Sequence, residues 1–209
     1  MTTRLEAFSD AVFAIIITIM VLELPHPQGQ AWSSLLRVWP TFLAYVLSFV
    51  FVGLAWTNHH HLLRSVRQTS NRLLWANLNL LFWLSLLPFV TGWAGETHFA
   101  PVPMTVYAAD ALLNAVAFSA LIHVIRHDPA NHPQGLGRRD RIAASLIAHV
   151  VSVVAPVAGP VGVWVSGLCL IFVALTWLVP DRRSGQAAEK SGQATRCWQG
   201  DRGRPLNWG

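Results

Sequence analysis

Ser9 and Asp10 stand at the head of an apolar run, Ala11 to Leu22, with Arg4, Glu6 and Phe8 just before them. A carboxylate and a hydroxyl on the first turn of a membrane helix need partners, because hydrocarbon offers no hydrogen bonds. Acids at a membrane entrance are commonly functional. Arg4 is a candidate counter-charge. The same residues also suit a plain membrane anchor, since Ser and Asp are good helix N-caps. Further along, Ile15, Thr18, Ile19 and Leu22 fall at i, i+3, i+4 and i+7 and so share one helix face. If several copies of this helix met at an axis, Ile15, Ile19 and Leu22 could form dewetting constrictions. Thr18 would then be the one hydroxyl able to contact a partly dehydrated ion. A span buried in lipid is apolar on every face, however, and a membrane Thr commonly bonds its own i−4 carbonyl. Periodicity alone does not choose between the two readings.

A second polar cluster, Trp56-Thr57-Asn58-His59-His60-His61, closes another apolar run. Consecutive side chains on a helix point about 100° apart, so three adjacent histidines cannot all ligate one metal from it. No metal site is read, and no catalytic set. A better use of His59 or His60 is as a hydrogen-bond partner for Ser9 or Asp10. Asn77 and Asn79 lie in a third run, Asp110 and Asn114 at i, i+4 in a fourth, and His149 in a fifth. Polar side chains in spans usually face other helices as modest glue. Asp110 and His149 could instead form a proton relay, which would make the chain a proton-coupled secondary transporter.

The elements that must position these groups are membrane helices. With 53% hydrophobic and 12% charged residues in a chain of 209, the composition is not that of a soluble domain. Mean hydropathy is +0.42. Six runs are long enough to span: Phe8 to Leu24, Val38 to Asn58, Leu73 to Trp93, Pro103 to Ile125, Ile142 to Val157 and Val161 to Val179. Arg4, then Arg64, Arg67 and Arg72, then Arg126, Arg138, Arg139 and Arg141, then Arg182, Arg183 and Lys190 occupy one set of loops, and the other set holds only Arg37. The positive-inside rule then puts both termini in the cytoplasm. Trp39, Trp93 and Trp164 near the outer ends, and Trp56, Trp75 and Trp177 near the inner ends, suit interfacial aromatic belts. Cys169 lies in an apolar run and Cys197 in the polar tail, so no disulfide is expected. The chain divides into a six-helix membrane domain, 1–181, and a tail, 182–209, rich in Gly, Gln and Arg, where disorder is expected.

Arg4-x-x-x-Phe8-Ser9-Asp10, Trp56-x-x-His59-His60 and the Leu86 to Thr91 stretch together resemble the transmembrane protein 175 family of potassium channels. The resemblance covers about residues 4 to 180 and implies an all-α protein of six transmembrane helices. It implies a homotetramer in the plasma membrane, with the first helix of each subunit lining a pore permeable to K+ and, in some members, H+. It assigns the constriction to Ile15, further layers to Ile19 and Leu22, and a hydroxyl layer to Thr18. Arg4, Phe8, Ser9 and Asp10, with Trp56 and His59 or His60, would form a structural and gating network. Neither enzyme activity nor a cofactor is implied. Thr91-Gly92-Trp93-Ala94-Gly95 is loosely similar to an ordinary potassium-channel filter, but it ends a full span with no re-entrant helix before it, so it reads as the start of a loop.

Overall fold

An apolar run crossing hydrocarbon must satisfy its own backbone, which makes it a helix. In a computed structural model, which describes residues 2–128, 131 and 139–178, the described residues form helices and no strand. The elements are α1 (Thr2–Leu22), a short α2 (Trp32–Arg37), α3 (Trp39–Arg64), α4 (Asn71–Glu96), α5 (Pro101–His127), α6 (Arg139–Val154), a 3₁₀ turn (Ala155–Ala158) and α7 (Pro160–Leu178). Five helices, α1, α3, α4, α5 and α7, are long and apolar enough to cross a membrane. The run expected at Ile142 to Val157 forms a shorter apolar stretch, Ile142–Ala158. At about 1.5 Å per residue it reaches roughly 26 Å, just under a hydrocarbon core of about 30 Å. Its end is set by Pro156, near the start of the 3₁₀ turn, and by Gly159, whose φ of 84° suits glycine and turns the chain into α7. The tail from 182 onward, with Cys197, lies outside the described residues.

Two expectations change. The helix begins at Thr2, not Phe8, because Arg4, Leu5, Glu6 and Ala7 are good helix formers that continue the turn upstream. Ser9 and Asp10 therefore sit inside α1, and the Ser9 hydroxyl donates to the Leu5 carbonyl at 2.9 Å instead of capping a helix start. Thr91 to Gly95 is also helical, since α4 runs on to Glu96. Gly95 belongs there because α3 presses against it: a Cβ at that position would lie 2.5 Å from the Thr41 Cα. The helix stops at a left-handed pair, His98 and Phe99, with φ of 54° and 57°.

The core of the bundle is aliphatic, with Val52, Leu84, Leu87, Leu121 and Ile125 all shielded from solvent. One hydroxyl cluster crosses it. Ser48 of α3 bonds Thr91 of α4 at 2.8 Å and Tyr107 of α5 at 2.9 Å. Helix α1 packs on α3 and α4, burying Leu5, Ser9, Phe13, Ile16 and Met20, which recur every three or four residues and so form one stripe.

Candidate functional site

The start of α1, the end of α3 and the start of α4 meet at one end of the bundle, and their polar side chains are joined in two lanes. In the buried lane, His59 Nε2 lies 2.7 Å from Asn77 Oδ1, and Asn77 Nδ2 lies 3.0 Å from Ser9 Oγ. The direction of each bond follows from the last one. The Leu5 carbonyl can only accept, so Ser9 donates to it. Ser9 then receives the Asn77 amide N–H, Asn77 offers its carbonyl oxygen to His59, and His59 donates from Nε2. His59 is thereby fixed with a bare Nδ1, buried and without a partner among the described residues. Ser9 and Asn77 are fully buried and His59 nearly so, with its ring 5.4 Å from that of Phe13.

The second lane runs along the rim. Trp56 Nε1 donates to Asp10 Oδ1 at 2.8 Å, and the Trp56 ring stacks on His60 at 5.6 Å. The expected partnership between histidine and the Ser9-Asp10 pair is thus indirect. His59 reaches Ser9 through Asn77, and the donor to Asp10 is the indole of Trp56. Arg4, expected as a counter-charge, is exposed instead, and so is Phe8. Both sit on the uncovered side of α1, turned away from the buried stripe that holds Ser9. Asn77 was legible only as helix glue. Its partner lies 68 positions away in the chain, and no local spacing encodes that contact.

That opposite face carries the other candidate set. Ile15, Thr18, Ile19 and Leu22 are all exposed on the subunit, with Leu22 at 78%. Arg4, Phe8, Ala11, Ile15, Thr18 and Leu22, spaced alternately by four and three, make one continuous uncovered stripe. The Thr18 hydroxyl donates within its own helix, 2.9 Å from the Ile15 carbonyl and 3.1 Å from that of Ala14. Its oxygen lone pairs are left facing outward.

Asp110 and His149 are both buried, but they belong to different hydrogen-bond sets. Asp110 accepts from Asn114 at 3.1 Å, while His149 Nδ1 bonds the Ser145 carbonyl at 2.7 Å. No bond joins the two as a relay. Among the described residues no group of three or more His, Cys, Asp or Glu side chains could hold a metal.

The family model described as endosomal/lysosomal potassium channel TMEM175 matches residues 4–88, the stretch that holds both lanes. Over 183 residues the chain is 43% identical to a potassium channel of Chryseobacterium sp. strain P1-3, a match covering 86% of this chain and 94% of the relative. It is 32% identical over 197 residues to a potassium channel of Streptomyces collinus, covering 87% of this chain and 96% of that one. Among solved structures, the lysosomal potassium-selective channel TMEM175 homolog from Chamaesiphon minutus superposes with a TM-score of 0.69 at 30% identity, covering 85% of this chain and 96% of that one.

Proposed function

Because this chain belongs to the TMEM175 family, whose matched relatives are channels and not enzymes, we propose that it is a potassium-permeable channel of the plasma membrane. Four copies assemble around an axis, each contributing α1 to the pore and keeping both termini in the cytoplasm. The observation that carries this reading is the contrast across α1: Ile16 and Phe13 are 3% and 1% exposed, whereas Ile15 on the next face is 55% exposed. A stripe left exposed by the other described residues is free to face three copies of itself. Ala7, Ala11 and Ala14 on the exposed side are small enough to let such helices approach closely.

In this assembly the Ile15 side chains form the narrowest ring. An apolar ring of that kind resists ions by expelling water, and it conducts when it widens or hydrates. Ile19 and Leu22 supply further apolar layers. Thr18 places four hydroxyl oxygens between the Ile15 ring and those layers, each already donating to its own helix and so presenting lone pairs that suit a cation. The ion path therefore has no carbonyl filter, and its selectivity rests on ring size and on the cost of shedding water. The two polar lanes hold α1 against α3 and α4, so any movement that widens the Ile15 ring must pass through Ser9, Asn77, His59, Asp10, Trp56 and His60. Arg4 and Phe8 continue the stripe to the cytoplasmic mouth, where Arg4 influences entering ions.

The test is the reversal potential of the purified protein in liposomes under opposed potassium and sodium gradients. A potential displaced toward the potassium equilibrium value supports the proposal. Saturable flux coupled to a pH gradient, in place of current down the potassium gradient alone, would replace it with a transporter.

A further inference from the structure

Away from α1, a cavity of about 80 Å³ lies among α3, α4, α5, α6 and α7. A second chamber of about 190 Å³ shares Phe51, His149, Val173 and Ala174 with the first, so the two adjoin. Leu47 and Val50 of α3 and Ile171 and Leu175 of α7 line the second chamber and are exposed, which opens it to the apolar surface between those helices. An apolar cavity of roughly 150 Å³ is large enough to take up benzene. Together the chambers hold a body of that size.

Their walls are apolar except for a few polar groups, two of which are buried acceptors without a partner among the described residues. His149 is 2% exposed and donates from Nδ1 to the Ser145 carbonyl at 2.7 Å, which leaves Nε2 as a lone pair. Asn114 is 3% exposed, and its amide nitrogen faces two acceptors, the Asp110 carbonyl at 3.0 Å and Oδ2 at 3.1 Å. Its oxygen is therefore the free end. Both His149 Nε2 and Asn114 Oδ1 are buried and lack a partner among the described residues. Other polar groups in the wall turn donors inward to their own helix: Asn58 to the Leu54 carbonyl at 2.7 Å, and Ser119 to that of Ala115 at 2.7 Å. Trp177 Nε1 donates to Ser145 Oγ at 3.4 Å, so the buried wall atoms left without a partner are the two acceptors, His149 Nε2 and Asn114 Oδ1. Buried acceptors without donors are costly and rare in native proteins, and hydrocarbon cannot supply the donor.

We infer that the cleft between α3 and α7 is a binding site for a small uncharged alcohol or phenol, which enters from the bilayer and donates its O–H to His149 Nε2 or Asn114 Oδ1. The chemistry narrows the occupant. An anion would find no Lys or Arg in the wall and would face the lone pairs of His149 Nε2 and Asn114 Oδ1. A cation would find no carboxylate in the wall, since Asp110 lines neither chamber. Water would satisfy the acceptors but needs two to four polar partners and would leave most of the apolar volume unfilled. A compact apolar body with one hydroxyl meets both demands.

The test uses the full chain in lipid nanodiscs and ¹⁹F NMR of 4-fluorophenol, with 4-fluorotoluene as a probe of the same shape that lacks the O–H. The expected result is a saturable bound signal for 4-fluorophenol beyond that in protein-free nanodiscs, at least tenfold weaker for 4-fluorotoluene. His149→Phe should weaken the phenol about tenfold, and Ala174→Trp, which fills the wall shared by both chambers, should abolish the signal. The comparison of the two probes needs no variant, so it stands even if a substitution prevents folding. Equal affinity for the two probes, binding that survives both substitutions in folded protein, or partitioning that never exceeds the protein-free control would each overturn the site.

Discussion

The two faces of α1 meet opposite fates within one subunit. One carries Ser9, Phe13, Ile16 and Met20 into the bundle, where Ser9 joins Asn77 and His59 in a chain of directed bonds. The other carries Ile15, Thr18, Ile19 and Leu22, which stay exposed among the described residues. The lesson lies in the register: a single step along the helix, from Ile15 to Ile16, separates a position free to serve an ion path from one that holds the fold.

The sharpest way to break that contrast is to put the same amide at both positions. Ile16→Asn buries an amide within the hydrophobic core cluster, at a cost of about 1–3 kcal/mol plus the lost packing. It should lower the melting temperature of the purified protein markedly or prevent its recovery. Ile15→Asn should leave the melt within about 0.5 kcal/mol of wild type, as surface changes do. It should instead raise potassium current on the order of tenfold by hydrating the ring, since a barrier lower by about 1.4 kcal/mol gives that factor. Equal destabilisation by the two would end the distinction.

Within the buried lane, Asn77→Leu removes the acceptor of His59 and the donor to Ser9, and should destabilise by about 1–3 kcal/mol. Ser9→Ala should cost less alone, and the double variant should fall short of additivity by about 0.5–3 kcal/mol if the two act as one network. Chemical denaturation of the four proteins checks this. Trp56→Phe keeps a ring against His60 but deletes the N–H held by Asp10. That bond lies at the exposed rim, where water can replace the lost donor, so the expected stability loss is below about 1 kcal/mol. The effect should appear in the open probability of single channels. Smallest of all should be Thr18→Val, which keeps the shape of the layer and removes its oxygen. A change of less than about tenfold in the potassium-to-sodium permeability ratio, with an unaltered melt, is the expected result.

Much of this was legible in the residues. The apolar runs gave the helices because hydrocarbon permits a chain little else, and i, i+3, i+4, i+7 spacing put Ile15, Thr18, Ile19 and Leu22 on one face. Which face was covered was not legible, because an all-apolar helix has no polar side to mark its surface. The start of α1 was hard to place because Ser9 and Asp10 favour caps locally, while the helix formers Arg4 to Ala7 carry the helix back to Thr2. Asn77 as the link between Ser9 and His59 was hidden for a different reason: its partners come from two other helices, and only tertiary structure sets them beside it. The free acceptors of Asn114 and His149 were hidden likewise, since an unpaired atom can be recognised only once all its neighbours are placed.

The most direct test of the account asks whether α1's uncovered face lines the ion path. Cysteine is placed singly at Ile15 and at Phe13 in a background with Cys169 and Cys197 replaced, and potassium current through the reconstituted protein is followed as silver ion is added. The account predicts that Ile15→Cys is silenced while Phe13→Cys, facing the bundle, conducts unchanged. Current through Ile15→Cys that ignores silver, in protein shown to be folded and conducting, would contradict a pore lined by this face.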